Sequence, residues 1–276
     1  MIDVALAAIG LVGPGLAGWA RGAALLREPA RWTPTPTAVP APARLPATER
    51  RRAGAIVRIA VAAADEAVTG AAADPARLAT VFASSTGDPL NCHLLCEALA
   101  TPERLVSPTR FTNSVHNAPA GYWHIATHCT AASTSLAAFD ASFGAGLLEA
   151  AVQCAHAGQP VLFVAADTPY PEPLHALRAL ADSFAAAFVL VPAGQPTPPA
   201  PSAAAPPPAL ARLRLAATDD ARTRCTHGGL EQLRRTIPAA HSLPLLVRLA
   251  QGGPGRVVVE AADGWQLAID VAAPGA

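Results

Sequence analysis

Residues 145–157 read as an apolar helix, Gly158 closes it, and Val161-Leu162-Phe163-Val164-Ala165-Ala166 follows as an unbroken apolar run. A strand without polar alternation is covered on both faces. With so few charges in the chain, the pair suits a layered α/β body whose inner helix lies between sheets. The block begins upstream. Asn117-Ala118-Pro119-Ala120-Gly121 opens a helix over residues 117–128, and a strand leads to Ala138. Asp140-Ala141-Ser142-Phe143-Gly144 then turns the chain into the apolar helix.

Composition agrees with that burial. Of 276 residues, 51% are hydrophobic and only 14% charged, which also suits a subunit that hides surface against a partner. Lys+Arg and Asp+Glu both number 20, so nothing marks the chain for nucleic acid or an anionic membrane, and Arg50-Arg51-Arg52 reads as a solvated helix start. Five cysteines, at 92, 96, 129, 154 and 225, make an odd set rather than a disulfide framework and point to a reducing cytoplasm. The apolar residues 1–26 lack a basic leader, with Asp3 as the only early charge. Gly10, Gly13, Pro14, Gly15 and Gly18 interrupt them, so neither a signal peptide nor a membrane span is expected.

The rest of the chain alternates in the same α/β manner. Residues 4–12 read as a buried strand entering a Gly-Pro-Gly turn, and residues 33–47, with five prolines, as an extended loop. Thr48 stands where an N-cap belongs, ahead of a helix to about residue 68. A strand over 78–84, a helix over 90–100 and an extended stretch from Ser107-Pro108 to Asn113 precede the central block. A strand over 184–191 follows it. Residues 192–208 form a Pro/Ala loop with little to bury, expected to be mobile. Beyond it come a strand over 210–216, a helix over 230–235, a stretch over 243–250 that reads as helix or strand, and a hairpin turning at Asp263-Gly264.

This ordered series resembles the N-terminal half of β-ketoacyl-ACP synthases, enzymes of the thiolase fold. The resemblance covers residues 2–191 and runs without gaps from Ser107 to Ala166. It implies an α/β thiolase-like fold truncated to mainly the N-terminal half of a ketosynthase. Residues 1–191 would form that domain and 192–208 the loop, with 209–276 a C-terminal strand/helix extension packed on the same body. Laid on the family pattern, the Asn-x-x-Ala-Gly motif falls on Asn117 to Gly121, and the nucleophilic cysteine of the elbow falls on Asp140. Cys129 lies eleven residues too early. The family's second half supplies two histidines in His-Gly-Thr and Gly-His motifs. Too few residues follow the Pro/Ala loop for that half, and His227-Gly228-Gly229 is only an echo of it.

A ketosynthase body without nucleophile or histidines resembles the chain length factors of type II polyketide systems, in the short form found with aryl polyene and xanthomonadin-type pigment synthases. The resemblance implies a cytoplasmic, non-catalytic subunit that heterodimerises with a full-length β-ketoacyl-ACP synthase and meets the acyl carrier protein through the complex. It implies no cofactor, metal, nucleic acid or membrane. Thr109, Arg110 and Phe111 would help close the partner's acyl tunnel with His116 nearby, although ordinary core packing also accounts for Phe111. Thr134, Leu136 and Ala138 would lie at the interface.

A thiolate at a helix N-terminus is activated by the helix dipole, and a carboxylate there is favoured by the same field but forms no stable thioester. Asp140 is thus expected to cap the apolar helix.

Other signals are weak. Gly13-Pro14-Gly15-Leu16-Ala17-Gly18 fits a dinucleotide pattern, but the acid-terminated strand required about twenty residues on is replaced by the Pro-rich loop. Cys92, His93, Cys96, His128 and Cys129 lack the paired knuckles of a zinc site; the cysteines read as buried thiols, and His124 and His128 as packed or interface histidines. The alternative function is a stand-alone acyltransferase or thioesterase using Ser142 or Cys129, although Asp-Ala-Ser-Phe-Gly is not the hydrolase elbow.

Overall fold

The structure, a computed structural model, describes residues 1–195 and 207–274, so most of the Pro/Ala loop expected to be mobile lies outside the described residues. Strand β1 (Ile2–Gly13) turns into the short β2 (Leu16–Ala17) and helix α1 (Trp19–Arg27). Next come α2 (Ala47–Arg52), α3 (Ala55–Gly70), β3 (Ala79–Ala83), α4 (Pro89–Ala100) and α5 (Pro108–Thr112). The central block follows as α6 (Ala118–Thr127), β4 (Ser133–Leu136), a 3-10 turn (Phe139–Ala141), α7 (Ser142–Ala157) and β5 (Val161–Asp167). Then come α8 (Leu174–Leu177) and β6 (Phe184–Pro192). After the loop stand β7 (Ala211–Thr218), α9 (Gly228–Thr236), a 3-10 turn (Pro238–Ser242) and α10 (Leu243–Gln251). The hairpin β8 (Gly255–Ala262) and β9 (Trp265–Ala272) ends the described chain.

The strands form one mixed sheet, ordered β4-β3-β5-β6-β1-β7-β9-β8, with β2 attached to β1. β3 runs parallel to β4 and β5, and the remaining pairs are antiparallel. β1 is the hinge of the arrangement: its first residues pair with both β6 and β7, and its register against β6 shifts between Leu6 and Ala8. The extra residue of that bulge puts Ala7 and Ala8 on the same face. Val4, Leu6, Ile9 and Leu11 stay on the other. The small-residue face receives α3 and the buried Trp123 of α6. The large-residue face receives α7 and the C-terminal elements.

α7 is held between two leaves of this sheet. A Cβ on Gly146 would stand 2.5 Å from the Phe163 ring on β5 and 2.8 Å from Ala83 on β3. A Cβ on Gly144 would meet the Glu260 carbonyl of β8 at 2.0 Å. Positions two apart on a helix point to nearly opposite sides, so these glycines let both leaves close on the one helix. Phe143 completes the contact with Phe163 and Phe188, ring centroids 5.8 and 6.0 Å away. Aromatic pairs at such separations contribute about 0.5–1.5 kcal/mol each beyond area burial. The layered α/β body with a buried central helix is the architecture the apolar run demanded.

Several local expectations are corrected. The helix placed over residues 48–68 is two helices, broken at Ala53-Gly54, and Thr48 lies inside the first turn rather than capping it. The junction has no room for a side chain at Gly54, where a Cβ would stand 2.4 Å from the Asp88 carboxylate. The stretch 107–113 is not extended: Pro108 opens α5 as its first helical residue, where a missing N–H costs nothing. Residues 243–250 resolve as helix. Cys92 and Cys96, read as buried, are exposed on α4, while Cys129 and Cys154 are buried. No helix among the described residues is long and apolar enough to cross a membrane, and none of their His, Cys, Asp or Glu side chains cluster as a metal site.

Candidate functional site

β4 ends at Leu136, and the chain must reverse within a few residues to enter α7. Phe139 makes the reversal at φ 51°, a left-handed conformation that side-chain-bearing residues rarely take. The turn is closed by Ser142, not by Asp140. Ser142 Oγ accepts from the Ala138 N–H at 3.0 Å and donates to the Phe139 carbonyl at 2.7 Å. Asp140 makes no capping hydrogen bond to either the 3-10 turn or α7, which corrects the capping expectation. Its side chain instead turns outward to Arg178, whose Nη2 donates to Oδ1 at 2.6 Å. The Arg178 guanidinium also lies over the Phe139 ring, 3.6 Å from its centroid. Arg178 thus locks the two residues at the apex of the elbow, one by charge and one by its π-face. It is the site residue that sequence reasoning missed.

The apex lines a pocket of about 170 Å³ that also includes Leu180, Arg235, Pro238 and His241. His241 is held neutral, its pKa lowered to about 4 by burial and then by nearby Arg234. The only acid in the pocket is already paired, its one lining hydroxyl, Thr236, donates to the Gln232 carbonyl at 2.8 Å, and Ser142 of the elbow is buried and bonded to backbone. Cys129 is likewise buried, its Sγ directed at the Leu78 carbonyl at 3.4 Å. His124, its neighbour, uses one ring nitrogen on the Cys129 carbonyl and the other on Thr80 Oγ1. Neither Ser142 nor Cys129 has a histidine partner, so neither is arranged as an activated nucleophile.

A second carboxylate organises the floor. Asp167, at the end of β5, is fully buried and accepts from Ser84 Oγ, Ser85 N–H, Ser85 Oγ and Ala239 N–H at 2.7–3.1 Å. It ties the ends of β3 and β5 to the 3-10 turn Pro238–Ser242. Burial raises its pKa to about 6 against the lowering effect of those four hydrogen bonds.

The residues expected near a tunnel do not form one group. Thr109 and Arg110 line an open cleft of about 530 Å³, walled by α4, α5 and the α2–α3 junction, that shares no residue with the elbow pocket. Phe111 points away from the core and is 69% exposed, which removes the core-packing reading. His116 is half-buried, with Nε2 3.0 Å from the Ser84 carbonyl. Thr134 and Leu136 turn their side chains inward: Thr134 Oγ1 accepts from Gln153 of α7 at 2.9 Å, and Leu136 packs against the core. Half-buried Ala138 lies just beyond the strand. What β4 leaves open among the described residues is its backbone, since there it is the edge strand and pairs with β3 alone.

The family model described as beta-ketoacyl synthase, N-terminal domain, matches residues 23–243. The chain belongs to that family. Its fold is thiolase-like, and the match runs through β7 and α9, past the residues that carry the sequence resemblance. Among solved structures, the ketosynthase family likeness extends to a chain of the complex between a ketosynthase and its chain length factor from Xenorhabdus doucetiae. That chain is 23% identical, with a TM-score of 0.71 over 98% of this chain and 100% of that one. The ishigamide ketosynthase/chain length factor gives 16% identity and a TM-score of 0.69 over 98% and 99% of the two chains. A β-ketoacyl synthase from Burkholderia phymatum gives 14% and 0.58, covering 88% of this chain and 71% of that one. At these identities the likeness shows the fold. No curated protein sequence matches the chain.

Proposed function

We propose that this chain is a non-catalytic, chain-length-factor-like subunit that pairs with a full-length β-ketoacyl-ACP synthase in the cytoplasm and shapes its acyl tunnel during polyketide or aryl polyene synthesis. The observation that carries the reading is the elbow. Where the family pattern calls for a thiolate, Asp140 stands ion-paired to Arg178, and Arg178 is stacked on Phe139. A carboxylate so engaged accepts no acyl group from a carrier protein. The complexes of ketosynthase with chain length factor whose chains share this fold support the pairing.

Thr109, Arg110 and Phe111 are the residues we assign to the partner's tunnel, and the β4 edge, with Thr134, Leu136 and Ala138, to the subunit interface. An exposed edge strand is a template for pairing with another chain, and an exposed Phe111 is a side chain awaiting cover. The stand-alone acyltransferase or thioesterase reading is the weaker one, because Ser142 and Cys129 are buried and hydrogen-bonded to backbone. Co-expression with the full-length ketosynthase tests the assignment. A stable one-to-one complex is expected on size exclusion; independent elution of the two chains would reject it.

A further inference from the structure

The 530 Å³ cleft holds two cations that nothing among the described residues neutralises. Arg51 and Arg110 line it, and neither side chain makes a hydrogen bond or ion pair among the described residues. Arg52, beside them, is paired to Glu49 at 3.4 Å. The one acid in the lining, Asp88, is committed elsewhere: it caps α4 by accepting from the Asn91 N–H at 3.0 Å. Its carboxyl is pushed up by burial, and it makes no ion pair among the described residues.

The walls of the cleft are apolar where they meet solvent. Leu90 and Leu94 line it, and Leu90, Leu99, Leu105, Phe111 and Val115 are all exposed on α4, α5 and the segments next to them. Apolar surface that size around unpaired charge fits a protein interface, where the rim excludes water and the charged pair inside becomes strong. A small soluble anion would leave the leucines uncovered.

We propose that this cleft receives an acidic side chain of the ketosynthase partner, flanked by apolar residues, with Arg51 and Arg110 as its two clamps. The inference rests on the heterodimer proposed above and names the chemistry of one contact in it. The planar guanidinium presents paired donors to a carboxylate. Two of them converging on one cleft select an acid over any neutral side chain. Neither arginine supports the fold of this chain: α5 is tied to α4 through the Arg110 carbonyl, which accepts from Asn91 Nδ2 at 2.8 Å, and a substitution leaves that bond in place.

A feature of the composition makes the test specific. All 20 basic residues counted as Lys or Arg are arginine, so the chain has no lysine. In an Arg110→Lys or Arg51→Lys variant the new amine is the chain's sole side-chain amine. A carbodiimide, which joins an amine to a touching carboxylate as an amide with loss of water, then links it to the partner acid. The expected result, read by peptide mapping, is an amide from the new lysine at 51 or 110 to an acid of the partner, over whatever links the partner's own amines make to acids of the wild-type chain. In parallel, Arg51→Glu/Arg110→Glu is expected to weaken the complex about 30-fold or more, with the thermal melt of the isolated chain unchanged. If the wild-type complex forms, yet the charge-reversed chain binds as tightly and neither new lysine crosslinks, the proposal is wrong while the heterodimer stands. If wild-type chain and ketosynthase do not associate, the heterodimer fails and this contact with it.

Discussion

At the scale of single residues, the elbow is a self-neutralising lock. Arg178 is mostly covered and Asp140 half exposed, so the ion pair itself is worth little, on the order of 0.2–1 kcal/mol. The Phe139 ring is a second partner for Arg178, independent of the carboxylate. Asp140→Ala is therefore expected to change the free energy of unfolding by less than about 1 kcal/mol and to leave complex assembly intact. Denaturant titration and size exclusion of the co-expressed pair check both parts. Failure to assemble would give Asp140 a structural role larger than the lock.

Two buried groups set opposite pH dependences. Asp167 has a folded pKa of about 6 against the ordinary 3.8, so the folded state holds its proton longer and stability falls as pH rises through that window. His241 has a folded pKa of about 4 against 6.5, so the unfolded state takes the proton first and stability rises with pH from about 4 to 6.5. Between about pH 4.5 and 6 the two slopes cancel. Asp167→Asn is expected to unmask a rise of about 2 kcal/mol across that range, and His241→Gln a fall of similar size. Urea unfolding of the two variants at the two ends of the range reads the sign directly. Equal slopes in both would show that other groups dominate. The turn that carries Asp140 was legible in the sequence as the break between a strand and the apolar helix. Arg178 was not, since it reaches the elbow from 38 residues away and no local pattern marks an arginine for stacking.

At the scale of elements, the buried helix depends on two residues without side chains. Gly144→Ala adds helix propensity of about 1 kcal/mol. It also drives a Cβ into the Glu260 backbone of β8, and overpacking of this kind costs about 1–3 kcal/mol or more. The expected net effect is a lower melting temperature, most of it from separation of the β8–β9 leaf, which hydrogen exchange on those strands would register. A melting temperature equal to wild type would mean that the leaf yields freely. The central strands were readable because β5 and β6 are continuous apolar runs with every residue buried. The break before α3 and the short helix α5 were not readable. Asp88 packs against Gly54 at that break from outside the segment, and α5 is a single turn that begins at a proline.

At the scale of the whole molecule, one sheet bends at β1 so that its two leaves hold α7, while α4, α5 and the segments beside them keep Leu90, Leu99, Leu105, Phe111 and Val115 exposed. The layering followed from the apolar helix and strand, and the family from their order and spacing. The division of the site into an elbow pocket and a separate basic cleft did not, because it depends on how α4 and α5 pack beside the α2–α3 junction. Intact-mass analysis of the co-expressed pair after incubation with acyl-loaded carrier protein tests the central claim most directly. The acyl mass is expected on the ketosynthase subunit alone, with this chain at its unmodified mass. An acyl adduct on Cys129, Ser142 or any other residue of this chain would contradict it.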